Sequence, residues 1–293
     1  MKITNNYSLP ESLVKACDTN KHNKPGEVSA TTLLQGTKQI ILTDRHWEEL
    51  EDDVSDRVWA LFGTAVHKLL EEANPTDFTE ESFSSKVGGK TVTGRVDLYD
   101  MADKTLTDYK TASVWKVIFK DYEDWRRQGL IYAWLMRNEG LVVDKCRFVA
   151  MLRDWSMTEA SRKPDYPKSQ VVTYEFDVTE EALDDIESFI KAKVADLESA
   201  ESLPDDAIEM CSPKERWERG ATYAVMKKGR KTAVKGGVFD NKEDAEKMAK
   251  ESGDDFFVEE RKGKSVRCLG YCPCKEFCSY WKSLQAEEEA KND

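Results

Sequence analysis

Two aspartates and a lysine in the middle of the chain have types and spacing suited to hydrolytic chemistry. Asp97 ends the strand-like run GRVD, and Asp108 and Lys110 lie two residues apart in the next run, TLTDYKTA. Alternate residues of a strand share one face, so a turn between the two runs would bring Asp97 beside Asp108. Two converging carboxylates form an oxygen-rich site suited to Mg²⁺ or Mn²⁺, which lowers the pKa of a bound water. Spacing alone also fits two surface aspartates and a lysine in a hairpin.

A histidine earlier in the chain has the spacing of an additional ligand. The segment GTAVHKLLEE places His67 and Glu71 four residues apart on one face of a predicted helix, with Gly63 one turn before His67. A neutral imidazole suits a Mn²⁺-like ion, and the glycine would allow a close approach of backbone or substrate. Taken alone, His67 fits a structural histidine better. The helix, predicted from about Glu48 to Glu72, is patterned for burial by Trp59, Phe62, Val66 and Leu70.

A later predicted helix carries two further polar residues at helical spacing. In WRRQGLIYAWLMR, Gln128 and Tyr132 lie four residues apart and would hydrogen-bond to a phosphate or stack on a base. Arg126 and Arg127, on the same helix, suit a DNA backbone. A core aromatic is the better interpretation of Tyr132 when it is considered alone.

The order of these motifs is more specific than any one of them. The succession G-x3-H, G-R-V-D, D-Y-K-T and Q-x3-Y, from about Ser29 to Trp155, resembles the RecB-like branch of the PD-(D/E)XK nucleases. One departure is visible, because the residue before the first aspartate is Val96 and not the usual proline. The resemblance implies metal binding by His67, Asp97, Asp108 and the backbone carbonyl of Tyr109, catalysis by Asp97, Asp108 and Lys110, and positioning of the DNA strand by Gln128 and Tyr132.

The resemblance also implies a fold and an activity. The fold is an α/β restriction-endonuclease-like core with a mixed central sheet flanked by helices. The activity is metal-dependent hydrolysis of DNA, expected to be exonucleolytic and to act on ends or single strands. The expected setting is recombination, repair or replication, and the compact chain fits a viral origin. The sequence has no G-x4-GK[ST] helicase signature, so a helicase or recombination partner would be a separate protein. The alternatives are a CRISPR spacer-acquisition nuclease and a non-catalytic DNA-binding protein of the same fold.

Five of the seven cysteines crowd the last third of the chain, in EMCSPK and RCLGYCPCKEFC. In a reducing compartment such a cluster more often binds metal than forms disulfides. The arrangement resembles the iron–sulfur site of AddB-type and CRISPR-associated RecB-like nucleases, in which the last two ligands are spaced Cys-x5-Cys. By that resemblance, a [4Fe–4S] cluster would be bound by Cys211, Cys268, Cys272 and Cys278.

Alternatives to this ligand set remain open. Cys268 precedes Cys272 by three intervening residues where the family has two, and Cys211 follows the nuclease motifs where the family's first cysteine precedes them. Cys274 or Cys17 is an alternative ligand, and zinc or reduced thiols are the rival states. Cys146 begins an apolar strand and is interpreted as a core residue.

The composition excludes some classes of protein and indicates an uneven charge. With 293 residues, 40% apolar and 34% charged, the chain is neither a membrane protein nor wholly disordered, and its net charge of −12 argues against a non-specific nucleic-acid coat. Much of the negative charge lies in VTEEALDDIESFIKAKVADLESA, where apolar residues at steps of three and four predict one amphipathic helix. The basic residues gather near the cysteines, above all in KKGRK.

Three regions follow from these patterns. We predict an N-terminal helical segment over 1–60, the nuclease core with its following helix over 61–210, and an iron–sulfur region over 211–293. A small ββαβ-like insert is predicted at about 219–262, with its strands joined near Lys228 and Gly229 and its helix capped by Asn241. No apolar run is long enough for a signal peptide or a membrane span, so a cytoplasmic protein is expected.

Overall fold

The computed structural model describes residues 1–19, 22–73 and 78–292 and divides into two compact units, Met1–Ile208 and Glu209–Asp293. The strands of the first unit are β1 (Lys2–Thr4), β2 (Glu27–Ser29), β3 (Glu51–Asp53), β4 (Phe78–Val87), β5 (Lys90–Asp100), β6 (Thr105–Ala112), β7 (Lys145–Leu152) and β8 (Val171–Asp177). Its helices are α1 (Glu11–Cys17), α2 (Ala30–Leu33), α3 (Thr37–Arg45), α4 (Val58–Ala73), α5 (Val114–Ile118), α6 (Glu123–Asn138), α7 (Met157–Arg162) and α8 (Glu180–Glu201).

A six-stranded mixed sheet forms the centre of this unit. Its path is β2-β5-β6-β7-β8, with β4 paired to the other edge of β5. The pairs β2–β5 and β6–β7 are parallel, and the pairs β4–β5, β5–β6 and β7–β8 are antiparallel. Helices α4 and α6 pack against the sheet, and α8 packs against α6. The predicted α/β class with a mixed central sheet flanked by helices is therefore confirmed.

The ladder between β5 and β6 is short, and its end matters for the site. It contains the pairs Leu98–Thr107, Tyr99–Leu106 and Asp100–Thr105, although both strands continue beyond the first of them. Asp97 directly precedes Leu98, and Asp108 directly follows Thr107, at the pair where the ladder ends. The two predicted catalytic aspartates therefore lie where paired strands separate.

Helices α6 and α8 cover the core as their patterns predict. In α8 the apolar residues at steps of three and four are all buried, so the acidic residues of this segment form its outer face. Its N-terminus is capped by Thr179, whose hydroxyl accepts from the Ala182 N–H at 3.2 Å. The core includes residues of α6, α8 and two strands that are almost completely inaccessible: Leu106, Ile131, Leu135, Phe148, Leu152 and Ile190.

The region before and within α4 differs from the prediction. The helix begins at Val58 and not near Glu48, because β3 and a 3₁₀ turn over Val54–Arg57 precede it, with Asp53 accepting from the Ser55 N–H at 3.0 Å. No residue of α4 in the described chain is buried, so its apolar pattern does not mark a covered face. The N-terminal residues also contribute strand β2 to the central sheet, in addition to their helices.

The second unit contains two small sheets. Strands β10 (Thr222–Lys227), β11 (Val238–Phe239) and β12 (Phe256–Arg261) form an antiparallel sheet in the order β11-β10-β12. Asn241 caps α9 (Lys242–Ser252) by accepting from the Asp244 N–H at 2.9 Å, and Val225, Ala245 and Ala249 form the local core. The remaining elements are β9 (Glu218–Arg219), β13 (Lys264–Ser265), α10 (Val266–Gly270) and α11 (Ser279–Asn292).

The order of elements between β9 and β13 is the strand, strand, helix and strand of the predicted insert. Strands β9 and β13 pair antiparallel, so they bring the two ends of this insert together. None of the helices in the described ranges has the length and apolar character that crossing a membrane requires.

Candidate active site

The site is built where the β5–β6 ladder ends, and a backbone hydrogen bond bridges the two strands there. The Tyr109 N–H donates to Oδ2 of Asp97 at 2.7 Å. This bond orients one carboxylate oxygen toward β6, while the other oxygen, Oδ1, lies 3.2 Å from Nδ1 of His67 on α4. The structure therefore brings His67 and Asp97 together as the motif order predicts.

A glutamate that the sequence analysis did not select joins this pair. Ligand atoms of His67, Glu80 and Asp97 all lie within 4.8 Å of one another. The β4–β5 register places Glu80 opposite Asp97, between the pairs Thr79–Leu98 and Glu81–Val96. Cross-strand neighbours of this kind project their side chains toward the same face.

The backbone at Glu80 is unusual for a residue with a side chain. Its φ is +55°, in the left-handed region that few residues other than glycine adopt. Strain of this kind costs about 1–3 kcal/mol and tends to persist at functional sites, where surrounding contacts hold it in place. Arg95 provides one such contact, because its Nε lies 2.5 Å from Oε2 of Glu80. Neither the backbone conformation nor the register can be read from residue types, so no sequence pattern identified Glu80 as a site residue.

Asp108 lies beside this group in a buried polar network. The residue is 2% exposed, and Nε2 of Gln128 donates to its Oδ2 at 3.2 Å. The same Gln128 nitrogen donates to the Tyr132 hydroxyl at 2.8 Å. Nζ of Lys110 lies 2.6 Å from Oδ1 of Asp108, but that oxygen receives no hydrogen bond of good geometry. A buried carboxylate oxygen without a hydrogen-bond donor is costly unless a cation is nearby.

Burial and neighbouring charge set the protonation of these groups. Burial raises the pKa of Asp108, the Lys110 ammonium opposes this shift and the negative charge of Asp97 adds to it, with a net pKa of about 6. The hydrogen bond with Asp97 raises the pKa of His67, against the lowering effect of burial. Two carboxylates near each other in a poorly hydrated site repel, which is the arrangement that a divalent cation relieves.

The donor set fits a hard divalent cation. Side-chain oxygens of Asp97 and Glu80 and a ring nitrogen of His67 converge, and Asp108 adds a buried oxygen that lies beside the Lys110 ammonium. Carboxylate oxygens with one imidazole suit Mg²⁺ or Mn²⁺. The role predicted for the Tyr109 carbonyl remains a prediction, while the structure shows its N–H holding Asp97 in position.

The residues predicted to contact DNA occupy different positions. Gln128 and Tyr132 are buried against Asp108, and burial strongly raises the pKa of the Tyr132 hydroxyl. Arg126 lies over the Phe176 ring, 5.5 Å from its centroid. Arg127 pairs with Glu123 at 2.8 Å and lies over Phe189. Among the described residues, neither arginine forms an ion pair with Glu80, Asp97 or Asp108. Their role in DNA binding remains a prediction.

The cysteines of the second unit are near one another. Burial raises the pKa of the Cys268 thiol to about 11, and three nearby thiolates, those of Cys272, Cys278 and Cys211, contribute to the shift. The four predicted cluster ligands are therefore electrostatic neighbours.

Cys274 makes a different contact. Its sulfur lies 3.6 Å from that of Cys272, and this contact is the main reason that the pKa of Cys272 falls to about 7. Cys17 and Cys146 are buried in the first unit.

Comparisons with known proteins concern the fold. No protein-family model matches the chain, and no curated protein matches it. The fold is similar to that of SSO0001, with a TM-score of 0.44 and 18% identity over 62% of this chain and 83% of that one. It is also similar to that of a phage-related exonuclease from Haemophilus somnus, with a TM-score of 0.30 and 14% identity over 58% of this chain and 76% of that one. A third similar structure is that of the alkaline exonuclease LHK-Exo of Laribacter hongkongensis in complex with dAMP. Its TM-score is 0.38 and its identity 14%, over 59% of this chain and 89% of that one.

Proposed function

We propose that the chain is a metal-dependent deoxyribonuclease of the RecB-like PD-(D/E)XK type that degrades DNA from its ends. One observation carries this proposal: residues from four separate motifs meet at the end of the β5–β6 ladder. His67 contacts Asp97, Asp97 accepts from the backbone next to Asp108, and Gln128 and Lys110 contact Asp108. If His67 were only a structural histidine, or Asp97 and Asp108 only surface residues of a hairpin, the four motifs would have no reason to meet.

Different residues of the site are proposed to have different roles in the reaction. A divalent cation held by His67, Glu80, Asp97 and Asp108 would lower the pKa of a water and neutralise phosphate charge. The Lys110 ammonium is placed beside Asp108 to orient the attacking water or to stabilise the charge that develops on the phosphate. Gln128 holds Oδ2 of Asp108 by donation, so it acts as a positioning residue whose own partner is Tyr132.

The second unit is proposed to hold a [4Fe–4S] cluster through Cys211, Cys268, Cys272 and Cys278. The proximity of these four thiols supports one shared group, since those of Cys211, Cys272 and Cys278 all contribute to the raised pKa of Cys268. Four thiolates can bind either a [4Fe–4S] cluster or one tetrahedral zinc, and the Cys-x5-Cys spacing of Cys272 and Cys278 favours the cluster.

The central experiment follows degradation of DNA labelled at its 5′ or 3′ end, single-stranded and duplex, with Mg²⁺ or Mn²⁺. We expect wild type to release short products from an end and Asp108→Asn to lose activity. Asp103→Asn is the matched control, because Asp103 is exposed in the turn between the same two strands. Equal degradation by wild type and Asp108→Asn would show that the proposed site is wrong.

The same assay separates the alternatives. Rapid cleavage of circular single strands, which have no ends, would indicate an endonuclease. Binding of DNA without degradation by wild type would indicate a non-catalytic DNA-binding protein. The setting proposed is recombination, repair or replication with a separate helicase partner. Stable association with an integrase complex would favour the CRISPR spacer-acquisition role instead.

A further inference from the structure

Four large aromatic side chains lie at the surface of the first unit with more than half of their area exposed. Trp59 and Phe62 of α4 are 51% and 53% exposed, and Trp115 and Phe119, in and just after α5, are 54% and 71% exposed. Single exposed apolar residues are ordinary, whereas a group of large rings at the surface marks a binding site. The apolar pattern of α4 is therefore explained by something other than the protein core.

The four rings form two pairs, and a cation lies over one of them. The Trp115 and Phe119 centroids are 5.6 Å apart with the ring planes at 25°, and the Trp59 and Phe62 centroids are also 5.6 Å apart. The Arg153 guanidinium lies 4.8 Å from the Trp59 ring centroid. Arg153 forms no ion pair among the described residues, so a phosphate can contact its guanidinium, although its charge is also one of the causes that lower the pKa of Asp154.

A cleft extends from one aromatic pair, Trp115 and Phe119, to Lys110 of the candidate active site. Trp115, Phe119 and Arg153 line a cavity whose wall also contains Lys110 and Thr111. Lys110 is the lysine that contacts Asp108, and Gly63 of α4 lies against Thr111. The aromatic surface and the proposed hydrolytic site therefore share a wall at the end of β6.

The charge of the cleft favours ring stacking over simple ionic attraction. Lys116 lies in the lining, but its ammonium is 2.5 Å from Asp124 and 3.6 Å from Asp121, which neutralise it. The exposed ring faces are therefore a larger feature of the cleft than its free positive charge. Nucleic-acid bases present flat faces to such rings when they are unpaired, whereas in a duplex these faces are stacked on neighbouring base pairs. Single-stranded nucleic acids bind to such surfaces by stacking successive bases on aromatic rings, with arginine contributing cation–π contacts.

We propose that Trp59, Phe62, Trp115, Phe119 and Arg153 form an aromatic platform that binds the bases of a single-stranded DNA segment next to the hydrolysed phosphate. The identification of this strand as the substrate rests on the proposed nuclease function. The platform determines specificity, because a duplex end must present unpaired bases before its backbone reaches Lys110.

The test measures binding of fluorescein-labelled oligothymidine without divalent metal, so that no cleavage occurs. We expect Trp115→Ala combined with Phe119→Ala to weaken affinity by about tenfold or more, since loss of one stacked base contact costs about 1–3 kcal/mol. Trp115→Phe, which keeps a ring face, should retain affinity within about threefold. Tyr7→Ala is the matched control, because Tyr7 is 72% exposed and outside the platform.

Two further probes identify stacking as the cause. An abasic strand of the same length has the same phosphates without bases, so the double variant and wild type should bind it equally. Blunt duplex should likewise lose little affinity in the double variant. Unchanged affinity of the double variant for oligothymidine, or an equal loss with the abasic strand, would overturn the proposal.

Sedimentation and cleavage measurements keep the remaining outcomes apart. A wild-type dimer that the double variant fails to form, with DNA affinity unaffected, would make the platform a contact between two copies and would also overturn the proposal. If the variants lose affinity while wild type with Mn²⁺ cleaves no DNA, the platform stands and the nuclease function fails. If wild type cleaves and the variants bind normally, only the platform is wrong.

Discussion

Gly94 and Tyr132 are packed so closely that a Cβ atom on the glycine would lie 2.8 Å from Cδ1 of the tyrosine ring. This contact joins the G-R-V-D motif on β5 to the Q-x3-Y motif on α6. Tyr132 in turn accepts from Gln128, which donates to Asp108. The absence of a side chain at residue 94 therefore sets the position of the helix that orients a proposed metal-binding carboxylate.

The first prediction concerns Gly94→Ala. The new methyl group must displace the buried Tyr132 ring, and overpacking of this kind costs about 1–3 kcal/mol. We expect a lower midpoint of unfolding for the first unit and a loss of nuclease activity larger than the loss of stability explains, because Gln128 moves with the helix. Denaturant unfolding and rate measurements at a temperature where both proteins are folded test this.

Gly63→Ala is the control for that substitution. Its Cβ would meet only Oγ1 of Thr111 at 3.5 Å, an ordinary contact, and alanine favours the helix by about 1 kcal/mol. We expect its stability to equal or exceed that of wild type. If Gly94→Ala is as stable as Gly63→Ala, the packing argument for the glycine is wrong.

The sequence predicted the parts of the site that depend on local pattern and motif order. Strand alternation placed Asp108 and Lys110 on one face, and the motifs identified His67 and Gln128. It did not predict Glu80, because its role depends on a strand register and a left-handed backbone that residue types do not encode. The apolar face of α4 was misinterpreted for a related reason: periodicity shows that a face is apolar, not whether the protein covers it.

A second prediction follows from the protonation of Asp108. Its pKa of about 6 in the folded protein lies above the ordinary value of 3.8, so ionisation costs more in the folded state than in the unfolded chain. The cost is absent below about pH 4, grows as the pH rises toward 6 and is complete above it, where it amounts to roughly 3 kcal/mol. Asp108→Asn removes this cost. We expect the variant to be more stable than wild type at pH 7.5 and equally stable at pH 4.

Thermal unfolding without divalent metal measures this difference. The gain will be smaller than the full cost, since Lys110 loses its charged partner, but its sign is set by the burial of Asp108. Asp103→Asn, at an exposed position, should change stability at neither pH. Added Mn²⁺ should stabilise wild type more than Asp108→Asn. Destabilisation of Asp108→Asn at pH 7.5 would contradict the argument.

The third prediction tests Glu80 as a metal ligand. Glu80→Gln keeps the size of the side chain and removes the charge, so affinity for Mn²⁺ should fall by about tenfold, the range seen when residues that support a metal are changed. Electron paramagnetic resonance of free Mn²⁺ provides the measurement without any reaction. Glu81→Gln is the control, because Glu81 is the exposed neighbour on the same strand. Equal affinity of the two variants would exclude Glu80 from the site.

The last prediction separates the cluster ligands from Cys274. Cys274 lies 3.6 Å from Cys272, whereas Cys268 has the other three predicted ligands as electrostatic neighbours. We therefore expect Cys268→Ala to lose the iron and the visible absorption of anaerobically purified protein, and Cys274→Ala to keep both. Cys274 is buried, and alanine leaves only a small cavity there. Circular dichroism of both variants distinguishes loss of the cluster from a folding defect. If Cys274→Ala loses iron and Cys268→Ala keeps it, Cys274 is the ligand and Cys268 is not. Zinc in place of iron in wild type would reject the cluster.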